Sequence, residues 1–289
     1  MQNSQSTTYI RDILLTALAP MIWGSTYIVA SELLPADRPF TAALIRVLPA
    51  GLVLLLWARQ FPRKQDFWRL TVLAILNISA FQALLFVAAY RLPGGLAAVL
   101  GAVQPLILMG LIWAVDSKAP NKMALIAASM GVVGMAVLLL SPETVFEPIG
   151  MLAALLGATS MAAGVWLTQR WKIQMSVQAL TGWQLLLGGL MLFPIAYVFD
   201  PALPELNSQQ IMGYVYLCLI GALLAYVLWF RGVARLPAVA VASLGLLSPL
   251  TAILLGWLFL SQSITGVALL GLVVVLISVF AVQYSASKA

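Results

Sequence analysis

The sequence predicts an all-α integral membrane protein whose ten transmembrane helices form two inverted five-helix repeats. Three observations predict it. Of 289 residues, 63% are hydrophobic and 8% charged, against roughly 45–50% and 25% for a soluble domain, so there is too little polar surface for water to be the solvent. The chain divides into ten apolar stretches, each close to the roughly 20 residues that cross a bilayer. It also matches itself at an offset of 144 residues.

The stretches follow one another with short punctuation between them. A segment at 1–12 precedes helix 1 at 13–33, which is too long for a signal-peptide core and lacks a small-residue cleavage site, so it is expected to stay in the protein. Helix 2 at 41–58 ends before a basic run, Arg59 to Lys64. Helix 3 at 68–90 stops at Arg91-Leu92-Pro93, helix 4 spans 95–115, and helix 5 at 122–140 completes a first repeat over 13–140. The second repeat, 149–284, holds helix 6 at 149–169, helix 7 at 177–198, helix 8 at 211–234, helix 9 at 238–260 and helix 10 at 265–284. A tail at 285–289 follows. The longest connection, Asp200 to Gln210, is too short for a soluble domain.

Lys and Arg set the orientation. Twelve of the fifteen fall on the side of the N-terminus, Arg38 and Arg91 fall on the other, and Arg46 lies within a span. Both termini are therefore expected in the cytoplasm, with the protein in a bacterial inner membrane. The formal charge of +6 is scattered rather than gathered into a basic stripe, which argues against nucleic acid as a partner. The expected partners are the lipid bilayer and a small-molecule substrate.

With no histidine and a single cysteine, Cys218, the chain offers almost nothing from which to build a metal site or a nucleophilic centre in the membrane. No cofactor, no metal and no enzymatic activity are expected. A lipid-acting membrane enzyme is the alternative reading, and a channel is another, although channels usually close a pore by oligomeric symmetry or charged rings.

The self-match places Arg91-Leu92-Pro93 on Arg235-Leu236-Pro237, Gly101 on Gly245, Pro105 on Pro249 and Trp113 on Trp257, with thirteen identities in the thirty-five residues from 91 to 125. Because each half holds five spans, an odd number, the second half enters the membrane from the opposite side. Such inverted repeats mark secondary transporters, whose substrate site lies near the midplane between the halves.

Four motifs carry a family resemblance: Trp23-Gly24-Ser25-Thr26-Tyr27, Thr181-Gly182-Trp183-Gln184-Leu185, Leu228-Trp229-Phe230-Arg231-Gly232 and Ser243-Leu244-Gly245-Leu246-Leu247-Ser248-Pro249. Over essentially its whole length the chain resembles the EamA family of the drug/metabolite transporter superfamily, and the last three motifs are similar to its pigment-exporter (PecM-like) branch. The resemblance implies efflux of a small metabolite, a central cavity lined by helices 1, 3, 4, 6, 8 and 9, and helices 5 and 10 at the periphery.

Candidate site residues follow from cost. A proline within a span frees the carbonyl four residues earlier and bends the helix; for Pro105 that is Gly101, for Pro249 it is Gly245. Each proline follows a polar residue, Gln104 or Ser248, which either patches its own helix or faces a cavity between gating kinks. Polar side chains in lipid point inward, so Asn77, Phe81 on the same face, Gln82 and its repeat mate Tyr226 are candidates for substrate contact or for interhelical bonding. Trp23, Thr26 and Tyr27 form one turn of helix 1, and with Trp166, Trp183 and Trp229 they suit an aromatic or amphipathic solute. Trp57, Trp68, Trp113, Trp171 and Trp257 lie near span ends as an interfacial belt. Gly188, Gly189, Ala127 and Gly131 read as close-packing positions, those of helix 5 leaving a homodimer contact through helices 5 and 10 open. Arg46 needs a partner or water, and Glu32 is nearest in depth. Of nine acidic residues only Glu32 comes close enough to a span to be considered as a proton carrier, so coupling through a side-chain proton is not expected.

The topology has a direct check. With Cys218 replaced, an impermeant maleimide applied to intact spheroplasts should reach Ser208→Cys and miss Ser117→Cys; the reverse pattern would overturn the orientation.

Overall fold

The computed structural model describes residues 2–92, 94–140, 147–259 and 266–287. Among them are ten helices long and apolar enough to cross a membrane, and no strand. The first half comprises α1 (Gln2–Leu33), α2 (Pro39–Ala58), α3 (Phe67–Ala74, a π turn at Ile75–Ser79, then Ala80–Arg91), α4 (Gly94–Gly101 and Gln104–Asp116) and α5 (Lys122–Leu139). The second comprises α6 (Pro148–Trp171), α7 (Val177–Phe199), α8 (Ser208–Cys218, a π turn at Leu219–Leu224, then Ala225–Arg235), α9 (Ala238–Leu244 and Leu247–Phe259) and α10 (Val267–Ser287).

Side chains at the membrane edges start several of these helices. Asn121 caps α5 by accepting from the amides of Met123 and Ala124, and Ser176 caps α7 through the amide of Ala179. Asn207 and Gln210 exchange hydrogen bonds with each other's backbone amides in a capping box at the start of α8, satisfying donors that a helix end otherwise leaves open. At the other end of the chain's order, α1 begins earlier than the apolar pattern: residues 2–12, expected ahead of the span, are helical and continuous with it.

The irregular features recur at the sequence offset. The π turns begin at Ile75 and Leu219, 144 residues apart. Helices α3 and α8 end in the same way, with the amide of Leu92 donating to the Ala88 carbonyl and that of Leu236 to the Gly232 carbonyl, each at 2.8 Å. Helices α4 and α9 both break just before their prolines, at Ala102–Val103 and Gly245–Leu246. There the ladder tightens to three-residue bonds, from Val103 to Leu100 and from Leu246 to Ser243. The expected bends are thus full breaks, since a proline cannot donate and crowds the preceding turn.

Aliphatic side chains gain little by leaving lipid for another helix, so association rests on close fit and on hydrogen bonds. Helix α2 lies along α7, and α5 along α10. A Cβ added to Gly51 would stand 2.5 Å from the Leu186 amide nitrogen, and one added to Gly271 2.5 Å from that of Leu138. Gly189 meets Leu48 and Gly188 meets Ile78, while Gly131 faces Ser278, whose hydroxyl donates to the Ala127 carbonyl at 2.7 Å. The small residues read as packing positions therefore pack within this chain. Ile126 and Val133 of α5, Phe193 of α7 and Leu270 and Phe280 of α10 face outward, and Trp57, Trp68, Trp113 and Trp257 are exposed towards helix ends. The core lies between α1, α3, α6, α8 and α9, with Tyr226, Trp229 and Phe230 almost fully buried at its centre.

Gly51→Val should push α2 off α7 and lower stability by about 1–3 kcal/mol, read as a lower melting temperature in detergent. Gly110→Ala, where nothing stands within 4 Å of the added carbon, should be neutral or slightly stabilising.

Candidate functional site

A π turn takes one residue too many into the helical ladder and leaves a carbonyl free. In α8 that group is the carbonyl of Gly221, and two side chains donate to it: the Trp23 indole Nε1 at 3.0 Å and the Arg46 Nη2 at 2.9 Å. In α3 the Leu76 carbonyl accepts from the Ser160 hydroxyl at 2.9 Å. Each π turn is thus held by the first helix of the opposite half, α1 for α8 and α6 for α3. The buried guanidinium of Arg46 joins α2 to α8 through this bond, and Glu32, the partner suggested by depth, is exposed at the end of α1.

Beside this junction the aromatic side chains cluster. The Trp23 ring lies 5.0 Å from Tyr226 and 5.3 Å from Trp229, and Tyr226 stacks on Phe230 at 6.1 Å with 20° between planes. Gln82 Nε2 donates to the Tyr226 hydroxyl at 3.3 Å. These two are repeat mates, and mates meet where the halves meet. Several buried polar atoms beside this cluster have no partner: Thr26 Oγ1, Trp229 Nε1 and Gln104 Nε2. Buried unpaired donors are costly, and three of them on α1, α4 and α8 give a solute something to bond. Phe81 packs, half-buried, against the same core. The side chain of Tyr27 lies outside the described residues, as does that of Phe86.

The two helix breaks flank the centre. Gln104 Oε1 lies 3.9 Å from where a Cβ on Gly245 would sit, so the side chain before the α4 proline points at the α9 break. Gly24 of α1 sits against the Ser248 carbonyl and Thr251, leaving no room for a side chain there. Gly101 has open space around it, and Pro105 is buried while Ser248 and Pro249 are half-buried.

Neighbouring helices engage three of the candidates. Trp183 lies near the start of α7: its Nε1 donates to the Gln60 carbonyl at 3.0 Å and its ring meets Phe61 and Phe67, because α7 starts only at Val177 and the α2–α3 connection folds over its first turns. Trp166 donates to Asp116 at 2.9 Å with the Arg170 guanidinium 5.1 Å above its ring, so it ties the end of α4 to α6 while packing against the core. Asn77 serves interhelical bonding: its Nδ2 donates to Gln184 Oε1 at 2.8 Å, and Gly164 makes room for its amide. Two surface grooves lie away from this centre. One of about 530 Å³ is lined by Leu125, Ile126, Met130 and Val274 on the outer face of α5 and α10, and one of about 170 Å³ lies near Lys118, Asn121 and Ser285. Among the described residues no group of three or more His, Cys, Asp or Glu comes together to hold a metal.

One carboxylate escaped the sequence. Asp12, assigned to the segment before helix 1, lies inside α1, 6% exposed. Arg231 Nη2 pairs with its Oδ1 at 2.5 Å and Arg235 Nη1 at 3.7 Å. Arg231 is a cation within a span, and its need for a counter-charge was the available signal.

Comparison with known proteins agrees with this architecture. Residues 10–140 and 148–284 match the EamA-like transporter family. Protein PecM of Dickeya dadantii is 43% identical over 92% of this chain and 90% of its own. An uncharacterized transporter of Synechocystis, sll0355, is 27% identical over 97% and 92%. A solved crystal structure, 17% identical, superposes with a TM-score of 0.80 over 96% of this chain and 99% of its own, which shows a shared fold.

Trp23→Phe should keep the ring contacts and lose the bond to the Gly221 carbonyl, costing about 0.5–1.5 kcal/mol. Melting of the purified protein checks it, with Trp57→Phe, at an exposed position, expected to melt as the unmutated protein does.

Proposed function

The chain belongs to the EamA-like transporter family, and from that premise we propose that it is a secondary transporter exporting small organic metabolites, amino-acid-like, aromatic or amphipathic, across a bacterial inner membrane by alternating access. It is a multi-pass membrane transporter; the direction, the solute class, the location and the cytoplasmic placement of both termini are the proposed part. One observation carries the proposal: a π turn, an Arg-Leu-Pro helix end and a broken helix recur 144 residues apart. Five spans per half, an odd number, make the second set the inverse of the first, and a carrier built from inverse halves can present one site to either side in turn.

The solute class is supported by what the centre offers. Trp23, Tyr226 and Trp229 supply flat apolar faces, while Thr26, Gln104 and Trp229 hold polar atoms without partners. Apolar walls with a few placed polar groups fit solutes of this kind. In the proposed cycle the segments of α4 and α9 swing about their breaks, opening the packed centre to one face at a time. The small residues of α5 and α10 are already used within the chain, so a homodimer would need other surface.

The test is transport in proteoliposomes with labelled aromatic and amino-acid solutes. Saturable flux with counterflow is expected, and flux that rises linearly with concentration without counterflow would overturn the carrier in favour of a channel. Pro105→Ala and Pro249→Ala should each slow turnover several-fold with expression unchanged; full-speed transport in both would remove the hinge role.

A further inference from the structure

Arg91 and Arg235 are repeat mates, each the last residue of a helix followed by the same Leu-Pro turn. Each makes an ion pair with an acid of the first helix of the other half or its cap. Arg91 Nη1 lies 3.3 Å from Oε1 of Glu147, the residue that caps α6, and Arg235 Nη1 lies 3.7 Å from Oδ1 of Asp12, just before the apolar run of α1. Glu147 and Asp12 are not themselves in register, so the pairs are matched in role and not by descent of a contact. Five spans separate the two acids along the chain, which puts the pairs on opposite faces of the membrane.

We propose that these pairs are opposing latches, one closing each face, whose alternate release sets which side the central site faces. The inference rests on the carrier reading above. Further contacts stand beside each latch. On the Asp12 face, Arg231 adds a second, buried bond to the carboxylate, and Gln169 Nε2 of α6 donates to the Val233 and Leu236 carbonyls at 2.7 and 2.8 Å. On the Glu147 face, Gly150 lets α6 approach Arg91 and Leu92 closely, and Glu147 also caps α6 through the Gly150 amide at 2.5 Å. The two faces are unequally held: the side chains of Arg91 and Arg235 are alike in exposure, at 47% and 49%, but Glu147 is 29% exposed against 8% for Asp12, which also holds the 18% exposed Arg231. An exposed pair is weak, and a buried one is costly to break by removing a partner. With two ion pairs to part against one, the Asp12 face is the more firmly shut in this structure, and the Glu147 face is the one a solute opens first.

The experiment reads accessibility and needs no known substrate. A reporter, Thr26→Cys in a Cys218→Ser background, is labelled with an impermeant maleimide from either face, in spheroplasts and in inside-out vesicles. Arg91→Gln should raise labelling from the Glu147 face about fivefold or more and lower it from the other. Asp12→Asn should do the reverse, and Arg235→Gln, which keeps the buried Arg231 bond, should do so more weakly and covers the case in which Asp12→Asn fails to fold. Rates that stay unchanged, or that rise at both faces together, overturn the latches as mere staples. If the unmutated reporter is reached from both faces while the variants change nothing, the latches fail and the carrier stands. If it is labelled from both faces at once, at the rate of a free thiol, the carrier reading itself fails.

Discussion

In hydrocarbon, every backbone N–H and C=O needs a partner within the protein, and that requirement governs where this chain can depart from a regular helix. The departures are the π turns of α3 and α8 and the breaks of α4 and α9. None can face lipid without leaving a carbonyl exposed to it. They gather inside, and the side chains that satisfy them come with them. Trp23 and Arg46 on the Gly221 carbonyl, and Ser160 on the Leu76 carbonyl, are the clearest cases. The centre of the molecule is defined by its irregular backbone before any side chain is considered for binding.

The remaining helices supply the frame. The α2–α7 and α5–α10 contacts are built on glycines that let backbones approach, at Gly51 and Gly189 in one and Gly134 and Gly271 in the other. Within each such pair the two helices occupy equivalent places in the two halves. In a lipid solvent this close fit substitutes for the burial that stabilises a soluble core. Rigid pairs at the flanks and broken helices at the middle give a division of labour: the flanks hold the halves together while the middle retains segments able to turn against one another.

Legibility in the sequence followed the range of the physics. Pro105 and Pro249 break their helices where the chain says they should, because a missing amide acts on its own turn. Gln82 and Tyr226 were paired by offset, and they touch. The contacts of Trp183 with Gln60, Phe61 and Phe67 were not legible, since the length of an apolar run does not say where the α2–α3 connection will fold. Asp12 was misassigned for a related reason: a polar N-terminal run can continue a helix below the apolar part when Arg231, far along the chain, supplies its counter-charge. Asn77 was correctly turned inward, but only the packed structure brings Gln184 and Gly164 to it.

The sequence alone determined the solvent, the number of spans, the internal offset and the places where helices break, all of which depend on the length of apolar runs and on the local chemistry of proline. Only the tertiary structure decided which polar groups meet. A carbonyl freed by a π turn must be answered by whatever side chain packs against it. For Gly221 those are Trp23 and Arg46, 198 and 175 residues away. No local pattern encodes a partner at that distance, because the choice is made by the packing of whole helices.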